Sequence, residues 1–438
     1  MLLRDPVHGL VAFEGDFERV ALALLETREV QRLRRIRQLG LTSLVFPGAE
    51  HSRFAHALGA AHVMTRLIEH ATPRQSDLPP ELRLDDGHAR DAFAAAMLHD
   101  LGHGPFSHLF EEVMPRARPH EAWTSAIITD PASEVNAALR AMDPGMPARV
   151  ASLIEGEHPL PWLASAISGT LDVDRCDYLL RDSHMTGVAY GIYDLDWLLR
   201  SLAFARLDTP AGAEWVLAIE GRKGLPPIEG FFLARHFMYQ QVYHHKATRG
   251  AECLVRGLFR RAAELVREGR TPEDTPEAIA RAVVGDPPSV EAYVDLDDVR
   301  LQHCLACWER ARDPVLADLA TRFRRRALPK TVPLPEGPAM EPRWREAHAR
   351  ASDVVRELGL RPDLHVWLDV AEDVPYAEPR EVSREGLWVT LRHQPLRRLG
   401  DISFALERLR NVAVVRPRLC FPREARDAVL AAIEPLMA

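Results

Sequence analysis

Apolar residues recur with helical spacing from residue 15 to about residue 325, and that period constrains the fold more than any other feature of the chain. A helix with one apolar stripe must bury it against another element, so many such helices in succession specify a bundle. The spacing predicts helical segments over 16–38, 54–71, 90–101, 194–204, 228–267 and 297–326, with few strand-like runs among them. Two polar, Pro-containing stretches, Thr72 to Asp86 and Gly269 to Ser289, read as surface loops. The many prolines from Ala327 to Pro342 read as a linker. Beyond it the pattern predicts helix 344–358, strands 363–370 and 387–392, helix 401–410, strand 411–415 and helix 422–436. The expected architecture is therefore mainly α: a helical region over 1–326, a Pro-rich linker over 327–342 and a small α+β appendage over 343–438. No internal repeat interrupts it.

Composition narrows the class of function. A chain of 438 residues with a formal charge of −8 lacks the basic footprint of a dedicated nucleic-acid binder. No apolar run reaches the eighteen or so residues a membrane helix needs, and Asp5 breaks the one stretch that could open a signal peptide. A cytoplasmic protein with no membrane partner is expected. The five cysteines are odd in number and scattered, which predicts reduced thiols rather than a disulfide framework. Of the 55 cations only Lys223, Lys246 and Lys330 are lysines, so a single arginine carries little functional weight here.

The chemistry collects in one place. Nine of the nineteen histidines (His51, His56, His62, His70, His88, His99, His103, His108 and His120) fall within seventy residues. The apolar run Ala95-Ala-Met-Leu ends in His99-Asp100, and Gly102, Gly104 and Pro105 then stop the helix. Adjacent helical positions differ by about 100°, so both side chains can converge on one ion, and nitrogen with oxygen ligands suits Fe, Mn, Zn or Ni. An isolated His-Asp dipeptide more often steadies a helix end. Further ligands nearby reverse that balance. His56 lies in Ser52-Arg-Phe-Ala-His-Ala-Leu-Gly59, and Asp174 in Leu171-Asp-Val-Asp-Arg-Cys-Asp-Tyr-Leu-Leu-Arg-Asp182. On a helical wheel Asp174, Arg175, Tyr178 and Asp182 fall within about 100° of one another. A solvated charged face is the competing explanation.

His56, His99-Asp100 and Asp174 in that order reproduce an H…HD…D metal signature, and the chain resembles the HD-domain phosphohydrolases. Asp5-Pro-Val-His-Gly9, Gln31 to Gly40, Val45-Phe-Pro-Gly-Ala49, His99 to His108, His120-Glu121 and Asp172 to Tyr178 are similar to motifs of the SAM-and-HD-domain deoxynucleoside triphosphate triphosphohydrolases and their bacterial relatives. The resemblance runs from about residue 4 to about residue 326, with no SAM domain before it. It implies an HD-domain bundle that cleaves a dNTP to deoxynucleoside and inorganic triphosphate by metal-activated water. His56, His99, Asp100 and Asp174 would then hold a divalent transition metal, with a second Mg on the phosphates. His103, His108 and His120 would surround the phosphates, His108 donating the proton to the leaving sugar oxygen. Glu111 would orient that ring in place of the family's shorter Asp.

The same resemblance implies phosphate contacts from Arg53, Arg175 and Arg235, and a deoxyribose pocket from Gln38, Leu39, Asp182 and Tyr243, with Tyr178 on the same face as Asp174. Arg235, Tyr239, Tyr243 and Lys246 form one stripe if 228–267 is a single helix. His244 stands where the vertebrate enzymes carry a base-contacting Gln. Glu26, Gln31 and Arg34 align with an allosteric nucleotide site, but Met1 replaces its lysine, so an allosteric nucleotide and a constitutive homo-oligomer (dimer or tetramer) stay open together. The arginines from Arg32 to Arg37 read as one solvated helix face. Cys304 and Cys307 beside His303 resemble half a zinc site but read better as buried thiols. The alternatives are an HD phosphodiesterase or nucleotidase on other nucleotides or single-stranded nucleic acid, and a nucleotide sensor without turnover.

Overall fold

The computed structural model describes residues 1–437 apart from 115, 117 and 211. The expected mainly α architecture is present. A hairpin of β1 (Leu2–Asp5) and β2 (Gly9–Ala12) precedes the bundle. Helices α1 (Arg53–Ala71), α2 (Asp86–Leu98), α3 (His108–Val113), α4 (His120–Thr129) and α5 (Val173–Thr186) then carry the histidines and aspartates. Three of them start on a side-chain cap: Ser52 accepts from the Ala55 amide, Asp85 from His88 and Asp172 from Arg175. Such caps satisfy amides that have no partner within the helix. Their inner faces are apolar and small. Ala57, Ala61 and Met64 of α1 are buried, as is the continuous run from Ala92 to Leu98 in α2, and these pack into one large core.

Several boundaries differ from the sequence expectation. The segment 16–38 is broken: Thr27 turns extended and caps a new helix, Arg28–Arg32, while Ile36 is extended and Arg37 bridges to Ser52. Segment 194–204 holds a short helix, Leu195–Arg200, that gives way to β3 (Leu202–Thr209), paired antiparallel to β4 (Gly212–Glu220). Only Ala205 and Leu207 alternate with polar residues, Arg206 and Asp208, too short a pattern to stand out after the helical run before it. Segment 228–267 is α6 (Leu225–Met238), a π-helical turn Tyr239–Tyr243, and α7 (Lys246–Arg267). The widened turn ends the single stripe predicted there. Gly269 to Ser289 contains a helix, Glu277–Ala282.

The stretch expected as a linker holds β5 (Lys330–Pro333). After α8 (Glu341–Glu357) come β6 (Trp367–Asp373), β7 (Trp388–Thr390), β8 (Arg397–Arg398), helix Phe404–Leu409, β9 (Val414–Phe421) and α9 (Arg426–Ile433). One sheet has the order β5-β9-β6 and shares a small core of Trp344, Val355, Leu419 and Phe421 with α8 and α9. The other has the order β3-β4-β7-β8, so two C-terminal strands complete a sheet begun in the helical region. Tyr376, Val389, Leu399 and Leu406 accordingly belong to the main core. Among the described residues no helix is long and apolar enough to cross a membrane.

Candidate active site

Three side chains from three elements meet at the centre of the bundle. His56 Nε2 lies 3.2 Å from His99 Nε2 and 3.0 Å from Asp174 Oδ1, and His99 Nε2 is 3.4 Å from the same oxygen. Two ligands each about 2.0–2.2 Å from one ion stand roughly 3.0–3.5 Å apart, so this trio has the spacing of a metal's ligand set. The far nitrogens fix both rings. His56 Nδ1 is held 2.7 Å from Asp177 Oδ2, and His99 Nδ1 lies 2.9 Å from the Ala96 carbonyl, which leaves both Nε2 atoms aimed inward. The residues therefore fit a divalent ion. Asp100 stands one step out, 3.5 Å from each Nε2, with its carboxylate against Arg53 and His103.

Charge supports the same assignment. Burial pushes the His56 pKa down, but hydrogen bonds to Asp174 and Asp177 and the charges of Asp177 and Asp100 outweigh it and raise it to about 10. Burial raises Asp174, yet hydrogen bonds and charge from His56 and His99 hold it far below the carboxylate range. The metal-free site thus accumulates negative charge that protons on its histidines offset, and a cation can take their place.

A second cluster adjoins the first through Asp100, whose Oδ1 is 3.1 Å from His103 Nε2. The His103 and His120 rings stack at 3.8 Å, and His108 packs edge-on to both. Glu111 Oε1 lies 3.1 Å from His120 Nδ1, 3.7 Å from His108 Nδ1 and 3.8 Å from His103 Nδ1. Burial and the Arg53 charge lower the pKa of His103, and partial desolvation by the surrounding rings with the charges of Arg53 and His120 lowers that of His108, whose side chain still reaches solvent. The loop between is strained into place. Phe106 and Ser107 have φ of 59° and 57°, the left-handed region that non-glycine residues avoid. Asp298 accepts from the Phe106 amide, and Ser107 Oγ donates to the Arg37 carbonyl and accepts from Arg53 Nε.

The remaining predicted residues divide into two groups. Asp182 accepts from Tyr243 Oη and pairs with His51 Nε2, each at 2.8 Å, and Tyr178 packs edge-on to Tyr243. Gln38 donates its amide to the His51 carbonyl, and its buried Oε1 has no hydrogen-bond partner; Leu39 packs against the core beside it. Asp182, His51, Tyr243 and Tyr178 are thus brought together, and Gln38 joins them through its backbone. Arg175 and Arg235 are committed elsewhere. Arg175 pairs with Asp172 and the Gly169 carbonyl, whereas Arg235 holds Asp373 and the Val374 and Pro375 carbonyls. Both line a cavity of about 530 Å³ behind α5, whose lining includes none of His56, His99 and Asp174. Lys246 is exposed at the start of α7, apart from the expected stripe. His244 faces Arg249 and Arg418, and burial with their charges lowers its pKa to about 4.

The HD domain family matches residues 53–182, the span that supplies every one of the clustered ligands. The uncharacterized protein YwfO of Bacillus subtilis is 34% identical over 97% of this chain and 92% of its own length. A phosphohydrolase structure from Bacteroides thetaiotaomicron superposes with a TM-score of 0.79 at 27% identity, covering 97% of this chain and 100% of that one. The chain belongs to the HD-domain phosphohydrolases. The deoxynucleoside triphosphate triphosphohydrolase SAMHD1 of Bos taurus is 28% identical over 60% of this chain, which spans 47% of that relative's length.

Four supports of this HD-domain phosphohydrolase escape sequence reasoning. Asp177 is fully buried and takes His56, His8 Nε2 at 2.6 Å and Arg181 at once. His51 holds Asp182. Asp298 arrives from far along the chain to fix the Phe106 loop. Arg32, expected on a solvated face, is 1% exposed and donates to the carbonyls of Leu101, His103 and Leu296, bracing the loop from below. The Asp177–Arg181 pair at i,i+4 was the available signal, hidden among the other charged residues of the same helix. His303 and Cys307 lie 3.7 Å apart, and buried Cys304 joins no metal-ligand group among the described residues.

Proposed function

We propose that the chain hydrolyses deoxynucleoside triphosphates to deoxynucleoside and inorganic triphosphate. The observation that supports this is an Asp182 carboxylate clamped by Tyr243 and His51, with Gln38, whose backbone amide donates to the His51 carbonyl, carrying a buried and unpartnered Oε1. A sugar 3′-hydroxyl can satisfy that acceptor, and the Tyr243 ring leaves a wall where a 2′-hydroxyl would stand. The printed activity of the SAMHD1 relatives supports the same substrate class.

His56, His99 and Asp174, with Asp100 completing the set, would hold the metal, for which Fe, Mn, Zn and Ni all suit the donors. Such an ion supplies a Lewis acid for phosphate oxygens and a nucleophilic water at neutral pH. Water adds to the α-phosphorus and the bond from phosphorus to the 5′-oxygen breaks. That oxygen would take a proton from His108, whose Nδ1 lies 3.7 Å from Glu111 while Glu111 hydrogen-bonds His120, and His103 and His120 would face the phosphates. Arg53, paired with Asp100, would contact phosphate on release from that carboxylate. Arg175 and Arg235 must first leave Asp172 and Asp373 to do so. The unpaired state of all five cysteines supports a cytoplasmic setting, and we infer a homo-oligomer from the family resemblance.

The test incubates the metal-loaded protein with the four dNTPs and their ribonucleotide counterparts and separates the products. Deoxynucleoside and triphosphate are expected; monophosphate with pyrophosphate, or equal turnover of ATP and dATP, would overturn the assignment. Tyr243→Ala should narrow the deoxy-over-ribo ratio in kcat/KM, because the wall that overlaps an added hydroxyl is gone.

A further inference from the structure

We propose that His103, His108, His120 and Glu111 form a second divalent-cation site, suited to zinc, and that an ion seated there takes His108 out of proton transfer. The site stands on geometry alone. Its effect on turnover rests on the phosphohydrolase mechanism above.

Three imidazole Nδ1 atoms face one carboxylate oxygen at 3.1, 3.7 and 3.8 Å, and the four ligand atoms all lie within 4.8 Å of one another. One tetrahedral ion holds its ligands roughly 3.0–3.5 Å apart, so the widest separation must close by about an ångström and the stacked His103 and His120 rings must turn out of parallel, movements open to the exposed His108 and the partly exposed His120. The most telling atom is His103 Nδ1. The residue is 1% exposed, and this nitrogen points into the cluster without a hydrogen-bond partner. A buried polar atom left unpaired is destabilising, and a metal bond would remove that penalty.

The rest of the arrangement matches. His103 Nε2 is engaged by Asp100 at 3.1 Å, so the ring proton belongs on that side and the Nδ1 lone pair faces inward, the carboxylate–histidine orientation common to metal-ligating imidazoles. Three ligands come from nine residues of one braced segment, from His103 to Glu111, and His120 is supplied by the first turn of α4. Three nitrogens and one oxygen select a borderline transition ion over Mg or Ca. The His108 side chain is 67% exposed, which gives an ion a route from solvent. An imidazole coordinated through Nδ1 cannot become an imidazolium, so the general acid is lost while the ion stays.

The decisive measurement strips the full-length protein of metal, equilibrates it with zinc by dialysis without substrate, and counts ions per chain. Two are expected in the wild type, one in His120→Ala and in Glu111→Gln, and one in His99→Ala. Anomalous diffraction at the zinc edge should place a peak among the three Nδ1 atoms, which decides the matter even if a variant fails to fold. A single ion in the wild type, or two retained in both His120→Ala and Glu111→Gln, overturns the site. If the second ion binds and turnover of a confirmed substrate is undiminished, the inhibitory role falls and the site stands; if no substrate is turned over under any loading, it is the phosphohydrolase mechanism that fails.

Discussion

The two histidines that matter most, His56 and His108, are tuned in opposite directions by their neighbours. His56 is raised to about 10 in the metal-free chain, so it is protonated through the neutral range and a metal must displace that proton. Metal affinity should rise about tenfold per pH unit for each proton released, measured by titration calorimetry in buffers of different ionisation enthalpy. The linkage to stability has the matching sign: the raised pKa stabilises the metal-free fold fully below about 6.5, and that contribution is lost as pH climbs through 10. His108 is lowered instead. As a general acid it should make kcat/KM fall as pH rises through a value below the usual imidazole range, while bound phosphate charge shifts the corresponding limb of kcat upward. His108→Ala should reduce kcat by roughly 10² to 10⁴ with the first metal retained, and a near-normal kcat would reassign the proton donor.

Among the helices, close approach decides more than charge. A Cβ on Gly59 of α1 would overlap the Asp177 carboxylate and the Arg181 guanidinium of α5, so the absent side chain is what lets Asp177 reach His56. Gly59→Ala should therefore lower stability by about 1–3 kcal/mol in denaturant titration, as overpacking does, and weaken metal binding as well. Unchanged metal affinity would show that Asp177 orients His56 only weakly. Gly102 has the same office, because a Cβ there would overlap the His120 carbonyl and the Thr124 amide where α4 begins. The π turn at Tyr239–Tyr243 is the matching device beside Asp182: it breaks the register between α6 and α7, so that Arg235 pairs with Asp373 of β6 while Tyr243 donates to Asp182.

Across the whole molecule the helical region and the C-terminal strands share interactions that one domain alone could not make. Strand β7 extends the hairpin of β3 and β4, Arg249 forks onto Asp369, and Arg235 pairs with Asp373. Thermal unfolding should show one cooperative transition, and a chain ending at residue 326 should melt well below the full one or aggregate, since it exposes the edge of β4 and strands two arginines. Two separate transitions by calorimetry would show that the C-terminal unit folds independently.

The motif chemistry was legible because it is local. His99 and Asp100 are neighbours, His56 follows an N-cap by four residues, and Asp174 sits in the first turn of a capped helix, so residue type, local spacing and the family resemblance together nominate the proposed ligands. The helical class was legible for the same reason, since a 3.6 period is written into each segment separately. What the sequence could not show depends on partners far apart in the chain. Asp177 gains its role from His8 and His56, the Phe106 loop from Asp298 and Arg32, and the linker its strand from Phe421 across β9. A short strand such as Lys330–Pro333 has no amphipathic signal of its own, and an arginine reads as solvated until the carbonyls that surround it are known. Ligand identity is a property of residue type and spacing; the orientation of each ligand, and the orphaned nitrogen of His103, are set by hydrogen bonds that exist only once distant elements have packed.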